Sequence, residues 1–190
     1  MKSYKELLNQ IVDLKEENKK ILKENKKLEK LVYKDSVTDL YNQKFLYEVL
    51  DRKIQAYRRY KEEFSILFID VDHFKKINDN HGHLVGSKVL VEVGDLLKSK
   101  LRGTDYAFRY GGDEFVILLS RAKKTQAKTV AEKLRKAVEE AKFDRNKKIT
   151  ISIGIAHVPR NGKTVKKVLK MADQAMYESK KNGRNKVYSY

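Results

Sequence analysis

Four carboxylates of this 190-residue chain stand where an apolar run gives out or begins. Asp70 and Asp72 close "FSILFIDVD" (64–72), and Asp113 and Glu114 follow Gly111-Gly112 in "RYGGDEFVILL" (109–119). Ionised carboxylates at the mouth of a buried strand are costly unless they are paired or hold a metal. Hard oxygen donors in this number suit Mg²⁺, which keeps some of its waters and shares its shell with substrate phosphates. The glycines permit φ > 0 at a turn and let backbone approach a phosphate chain. Downstream, "SKKNGRNK" sets Lys180 and Arg184 four apart at a helix end, where they would share a face and grip a triphosphate. Taken singly, each feature has a plainer meaning: a Gly-Gly turn, a solvated helix end, acids that meet a surface lysine. Together they suggest metal-assisted phosphoryl or nucleotidyl transfer.

Such groups need a frame, and the pattern of the chain from Asp35 onward supplies one. The run 64–72 reads as a buried strand with function at its C-terminal end. Tyr106–Tyr110 and Phe115–Leu119 read as a hairpin about the Gly111-Gly112 turn. "ITISIGIAHV" (149–158) is a further strand, and a short last one spans Asn185–Tyr190. Helices are expected from the capping or turn residues Asp35 and Ser36 through about Arg59, and over 84–101, 122–141 and 164–181. Strands alternating with helices and one hairpin predict an α/β sandwich with a central mixed sheet flanked by helices. If the hairpin lies beside the first strand, the two acidic clusters converge at one edge of the sheet.

Residues 1–34 differ in kind. They lack Gly and Pro, and Tyr4, Leu7, Ile11, Leu14, Asn18, Ile21, Asn25, Leu28 and Val32 follow an unbroken 3-4 spacing. This is a heptad with asparagine at two interior a positions, a device that fixes register and partner number at some cost in stability. A single amphipathic helix packed on its own domain is the simpler alternative; the narrow stripe favours a parallel coiled-coil homodimer. The expected division is therefore a dimerisation helix, 1–34, and a globular domain, 35–190.

The net charge is +17, of which residues 1–34, with ten lysines and six acidic residues, leave +13 to the remainder. The lysines are dispersed and not interleaved with aromatics, unlike a nucleic-acid stacking platform; an anionic nucleotide suits them as well. Cysteine is absent, which removes disulfides and thiolate metal sites and fits a reducing, cytoplasmic setting. No apolar run of 18 residues and no signal-peptide pattern is found.

The stretches "DSVTDLYN", "DVDHFKKINDNHGHLVG", "RYGGDEF", "SIGIA" and "ADQAMYESKKNGRN", in this order and spacing, resemble the GGDEF domain of diguanylate cyclases. The resemblance implies a nucleotidyl-cyclase fold similar to the polymerase palm. It implies condensation of two GTP molecules into cyclic di-GMP with loss of two pyrophosphates, on Mg²⁺ or Mn²⁺. Carried over residue by residue, Asp70 and Asp113 would hold the metals, with the Val71 carbonyl and Glu114 completing the shell. Asp113 would also accept the 3′-hydroxyl proton. Backbone amides of His73, Phe74 and Lys75 would meet the terminal phosphates, with Lys180 and Arg184 completing the grip. Gly111 and Gly112 would admit the triphosphate, and Asn78 would hydrogen-bond the base. Arg102 and Asp105 match the family's RxxD site for inhibitory cyclic di-GMP; a plain surface ion pair is the alternative.

Ser87 is the departure that matters. The family usually has aspartate there, an acceptor-only group suited to the N1–H and N2–H₂ donors of guanine, whereas a hydroxyl both donates and accepts. In this respect the chain resembles the hybrid promiscuous (Hypr) subgroup, which makes 3′,3′-cyclic GMP-AMP from GTP and ATP alongside cyclic di-GMP. A strictly GTP-specific cyclase remains the nearest alternative. A catalytically silent GTP or cyclic di-GMP receptor is disfavoured by the intact turn, and a basic nucleic-acid-binding coil is the weakest option. Asp39, where the family often has glycine, and Gln43, where it often has arginine, lie away from the catalytic positions.

Overall fold

The computed structural model describes residues 4–144 and 148–190; the side chains of Glu6, Leu7, Lys26, Lys27, Glu29, Lys30 and Leu31 also lie outside the description. The chain divides into two units between Lys34 and Asp35. The first is a helix, α1 (Tyr4–Tyr33). Along its heptad stripe Tyr4, Ile11, Leu14, Ile21, Leu28 and Val32 are all exposed in the single chain, and the Leu7 side chain is outside the described set.

The second unit runs α2 (Gln43–Tyr60), β1 (Phe64–Val71), α3 (Phe74–His81), α4 (His83–Ser99), β2 (Tyr106–Gly111), β3 (Glu114–Ser120), α5 (Lys124–Glu140), β4 (Ile151–Val158), α6 (Val165–Lys181) and β5 (Val187–Ser189). The described strands form one mixed sheet in the order β2-β3-β1-β4-β5, antiparallel except for the β4–β5 pair. Strand β1 is buried along its whole length, as a central strand covered on both faces must be. Alternation then sorts its side chains. Ile66 and Phe68 pack under α2 and α6 with Leu46, Leu50 and Met176, while Leu67, Ile69 and Val71 pack under α4 and α5 with Val89, Val93 and Leu134. Gly154 of β4 lies beneath α6 so closely that a Cβ there would sit 2.1 Å from the Ala172 carbonyl oxygen.

Two expectations about elements need correction. The helix expected from Asp35 starts only at Gln43, where the Asn42 side chain accepts the Phe45 N–H at 3.0 Å. The Asp35 carboxylate instead gathers the N–H groups of Val37 and Thr38 into a turn, and Tyr41 pairs with the β2 backbone through Ala107 and Arg109. Asp39 in this segment takes a φ of 52°, at the position where the resembled family often carries glycine. The second correction is the short helix α3, eight residues long, whose two apolar residues Phe74 and Ile77 are only partly buried against the core and give too short a period to read.

Candidate active site

The carboxylates meet at the ends of the two central strands rather than at a lateral edge of the sheet. In the β1–β3 register Asp70 stands directly opposite Glu114. Asp70 continues the parity of Ile66 and Phe68, and Glu114 that of Val116 and Leu118, so both belong to the α6 side. The Val71 N–H donates to the Asp113 carbonyl at 3.2 Å, which ties the hairpin turn to the end of β1. From the last turn of α6, Lys180 Nζ reaches Asp70 Oδ2 at 2.6 Å.

Burial is the dominant force on these acids. It pushes Asp70 up to about 6 against the pull of Lys180, with Asp113 and Asp72 adding to the rise. Glu114 is raised too, first by burial and then by Asp70, Asp113 and Asp173. A cluster this reluctant to ionise is short of positive charge, and the Lys180 ammonium is the one cation ion-paired with it among the described residues. No group of three or more His, Asp or Glu side chains among the described residues is gathered tightly enough to hold a metal unaided. Asp70, Asp113, Glu114 and the Val71 carbonyl offer oxygen donors only, a chemistry that suits a hard cation sharing its shell with water and phosphate.

The glycine turn is open and braced. Among the described residues nothing lies within 4 Å of a Cβ built on Gly111 or Gly112, and Gly112 takes a φ of 50°. The Gly112 carbonyl accepts from Arg109 Nη2 at 2.8 Å and Nε at 3.2 Å. The same guanidinium donates from Nη1 to Asp35 Oδ1 at 3.0 Å. Burial works against the Asp35 charge, yet hydrogen bonds from Thr38 and Arg109 hold its pKa below the ordinary carboxylate value. Sequence reading missed this brace, because the two residues are 74 positions apart.

Beside Glu114 opens a cavity of about 530 Å³ whose wall includes Tyr47, Phe68, Tyr110, Lys166, Lys170 and Asp173. The Tyr47 and Tyr110 hydroxyls approach to 3.3 Å, and that contact, with burial, pushes Tyr110 up to about 12. Sequence reading assigns a role to Glu114 alone among these side chains, although Tyr110 and Asp173 fall within the quoted motifs.

Past β1, His73 adopts a left-handed φ of 59° and offers no side-chain acceptor to the first turn of α3, where Phe74 and Lys75 follow. Asn78, in the same helix, keeps its side-chain Oδ1 buried with no hydrogen-bond partner among the described residues. Ser87 lies half-buried in the first turns of α4, the helix against which α3 packs.

Two sequence expectations change here, and one alternative falls away. Asp72 does not join the open cluster: its carboxylate accepts from Thr150 Oγ1 and Ser152 Oγ, each at 2.7 Å, and from the Asn185 N–H at 3.0 Å. Lys180 and Arg184 do not share a helix face. Helix α6 ends at Lys181 with Asn182 as its cap, and Arg184 lies beyond Gly183 with a φ of 61°. Arg102 and Asp105 form no side-chain ion pair; the Asp105 carboxylate accepts backbone N–H groups from Arg102 and Ser120.

Comparison with known proteins shows the family. Residues 32–186 match the family described as diguanylate cyclase, GGDEF domain. The chain is 47% identical over 130 residues to diguanylate cyclase A of Treponema denticola, covering 67% of this chain and 35% of that protein. It is 38% identical over 156 residues to diguanylate cyclase DosC of Escherichia coli K12, covering 80% of this chain and 34% of DosC. The chain thus spans about a third of the length of these curated relatives. Among solved structures, the coiled coil and GGDEF domain of DgcB from Caulobacter crescentus, in complex with cyclic di-GMP, superposes with a TM-score of 0.83. That pair is 27% identical, with coverage of 97% of this chain and 99% of DgcB's.

Proposed function

The chain belongs to the GGDEF-domain diguanylate cyclase family, and from that premise we propose that it is a cyclic dinucleotide synthase. The observation that carries the reading is the convergence of Asp70, Asp113-Glu114 and Lys180 at the mouth of β1 and β3, behind an unobstructed glycine turn.

Each domain would hold one nucleoside triphosphate. Asp70, Asp113, Glu114 and the Val71 carbonyl would hold Mg²⁺ or Mn²⁺, which when bound polarises the α-phosphate and makes the 3′-hydroxyl more acidic. The Asp113 carboxylate accepts the proton of that hydroxyl. The first-turn amides at His73, Phe74 and Lys75 meet the terminal phosphates as a helix N-terminus does. Lys180 and Arg184 neutralise the same charge, and Gly111 and Gly112 leave room for the phosphates over the hairpin. The 3′-oxygen of one nucleotide attacks the α-phosphorus of the other and pyrophosphate leaves; the reciprocal attack closes the ring. Two domains must therefore face one another, and alignment of the reacting atoms is a property of that dimer. The exposed apolar stripe of α1 supports a parallel coiled coil as the element that forms it. Arg102 and Asp105 would receive cyclic di-GMP as an inhibitor. The cysteine-free chain suits the cytoplasm, and no helix among the described residues is long and apolar enough to cross a membrane.

Ser87 supports a finer reading. A hydroxyl at the base edge does not repel the N1 acceptor of adenine as a carboxylate would, so ATP enters beside GTP and 3′,3′-cyclic GMP-AMP forms together with cyclic di-GMP. Incubation with equimolar GTP and ATP and Mg²⁺, with products resolved by chromatography, tests this. Both products are expected, and Ser87→Asp should shift the mixture toward cyclic di-GMP. Cyclic di-GMP alone, unchanged by Ser87→Asp, overturns the adenine reading and leaves a GTP-specific cyclase.

A further inference from the structure

Helix interiors disfavour glycine, so Gly86 in the second turn of α4 asks for a local reason. The packing of α4 on α3 supplies it. A Cβ on Gly86 would lie 1.9 Å from Asn78 Oδ1, 3.0 Å from Asn78 Cγ and 3.1 Å from Phe74 Cζ. The nearest atom is thus the tip of one side chain, and it is also the buried side-chain oxygen that lacks a hydrogen-bond partner among the described residues. Burying a polar atom without a partner is costly, and the cost is recovered only if a donor arrives from outside the chain.

We infer that Gly86 is a positioning residue for base recognition: its missing Cβ is the space in which Asn78 holds its carboxamide ready for the edge of the nucleobase. The inference rests on the reading that Asn78 contacts the base. The Asn78 backbone is fixed independently, since its carbonyl accepts the Gly82 N–H at 2.7 Å. A methyl group at position 86 therefore turns the Asn78 side chain rather than the helix. Gly86 sets where one base reader stands, and its neighbour Ser87 is the other, so base choice is concentrated at adjacent positions of α4.

The test is a double-mutant cycle on the full chain. Gly86→Ala, Asn78→Ala and the double variant are titrated by calorimetry with a non-hydrolysable α,β-methylene analogue of GTP in the presence of Mg²⁺. Inorganic triphosphate, which has no base, is the control ligand. Loss of one hydrogen-bonded contact should weaken analogue binding about fivefold to tenfold in each single variant. The double variant should be no weaker than Asn78→Ala alone, and triphosphate should bind equally to all forms. Additive losses, or weakened triphosphate binding, overturn the inference by showing general damage. Gly86→Ala binding like the parent while Asn78→Ala is weakened overturns it and leaves Asn78 as base reader. An Asn78→Ala variant that binds the analogue normally removes the reading beneath it, and the inference with it. If Gly86→Ala is thermally destabilised, Asn78→Ala in the same chain should restore the melting temperature; no restoration shows that the clash lies elsewhere and overturns the inference.

Discussion

Asp70 is the residue at which the opposing forces of this site are most evident. Its folded pKa of about 6 exceeds the ordinary 3.8, so between those values the folded protein binds more protons than the unfolded chain. The stability Asp70 contributes is accordingly complete below about pH 4 and lost as pH rises through about 6. In the metal-free protein, Asp70→Asn should gain on the parent by about 2–3 kcal/mol between pH 4 and pH 7.5, read from urea midpoints. A difference that does not change with pH would show that the carboxylate is not held against ionisation. The same variant should lose activity, which separates a functional carboxylate from a structural one. The convergence of Asp70, Asp113 and Glu114 was legible because an apolar run that stops or starts at a carboxylate is a local signal. The separate role of Asp72 was not legible, since its donors Thr150 and Ser152 lie about eighty positions away. Arg184 misled for a related reason: spacing of four implies a shared face only while the helix continues, and α6 stops first.

At the scale of elements, the longer strands and the longer helices from α2 onward were readable from their apolar pattern, because strands and helices bury their apolar faces against each other. The segment 35–42 and helix α3 were not: the first is held by side-chain capping and by pairing with β2, and the second is eight residues long with its apolar residues, Phe74 and Ile77, only partly buried. These two unread pieces flank the site. The Asp35–Arg109–Gly112 brace should govern how firmly the turn holds Asp113. Arg109→Ala is expected to lower kcat about tenfold or more with little change in KM, and to cost about 1–3 kcal/mol of stability. Asp35→Ala should produce a smaller loss in the same direction, and unaltered kcat in both would mean that the turn is rigid without the brace. Beneath α6, Gly154→Ala would force a methyl group against helix backbone that cannot yield locally, so a loss above about 3 kcal/mol is expected in thermal or urea unfolding. A mild effect would mean that α6 is free to lift from the sheet.

For the whole molecule, the proposed reaction needs two domains, and the role proposed for the exposed stripe of α1 is to bring them together. Ile11→Asp with Ile21→Asp in the full chain should convert a sedimenting dimer into a monomer, and product formation should become second order in protein concentration. Unchanged sedimentation would place dimerisation elsewhere. The sequence changes from a heptad to a globular pattern near Asp35, but a single chain carries no direct signal of how its partner docks. The most direct test of the account is product analysis of the purified chain with GTP and Mg²⁺, alongside Asp113→Ala. Two pyrophosphates per cyclic di-GMP are predicted, with neither product formed by the variant. Nucleotide binding without pyrophosphate release, or release that persists in Asp113→Ala, would contradict it.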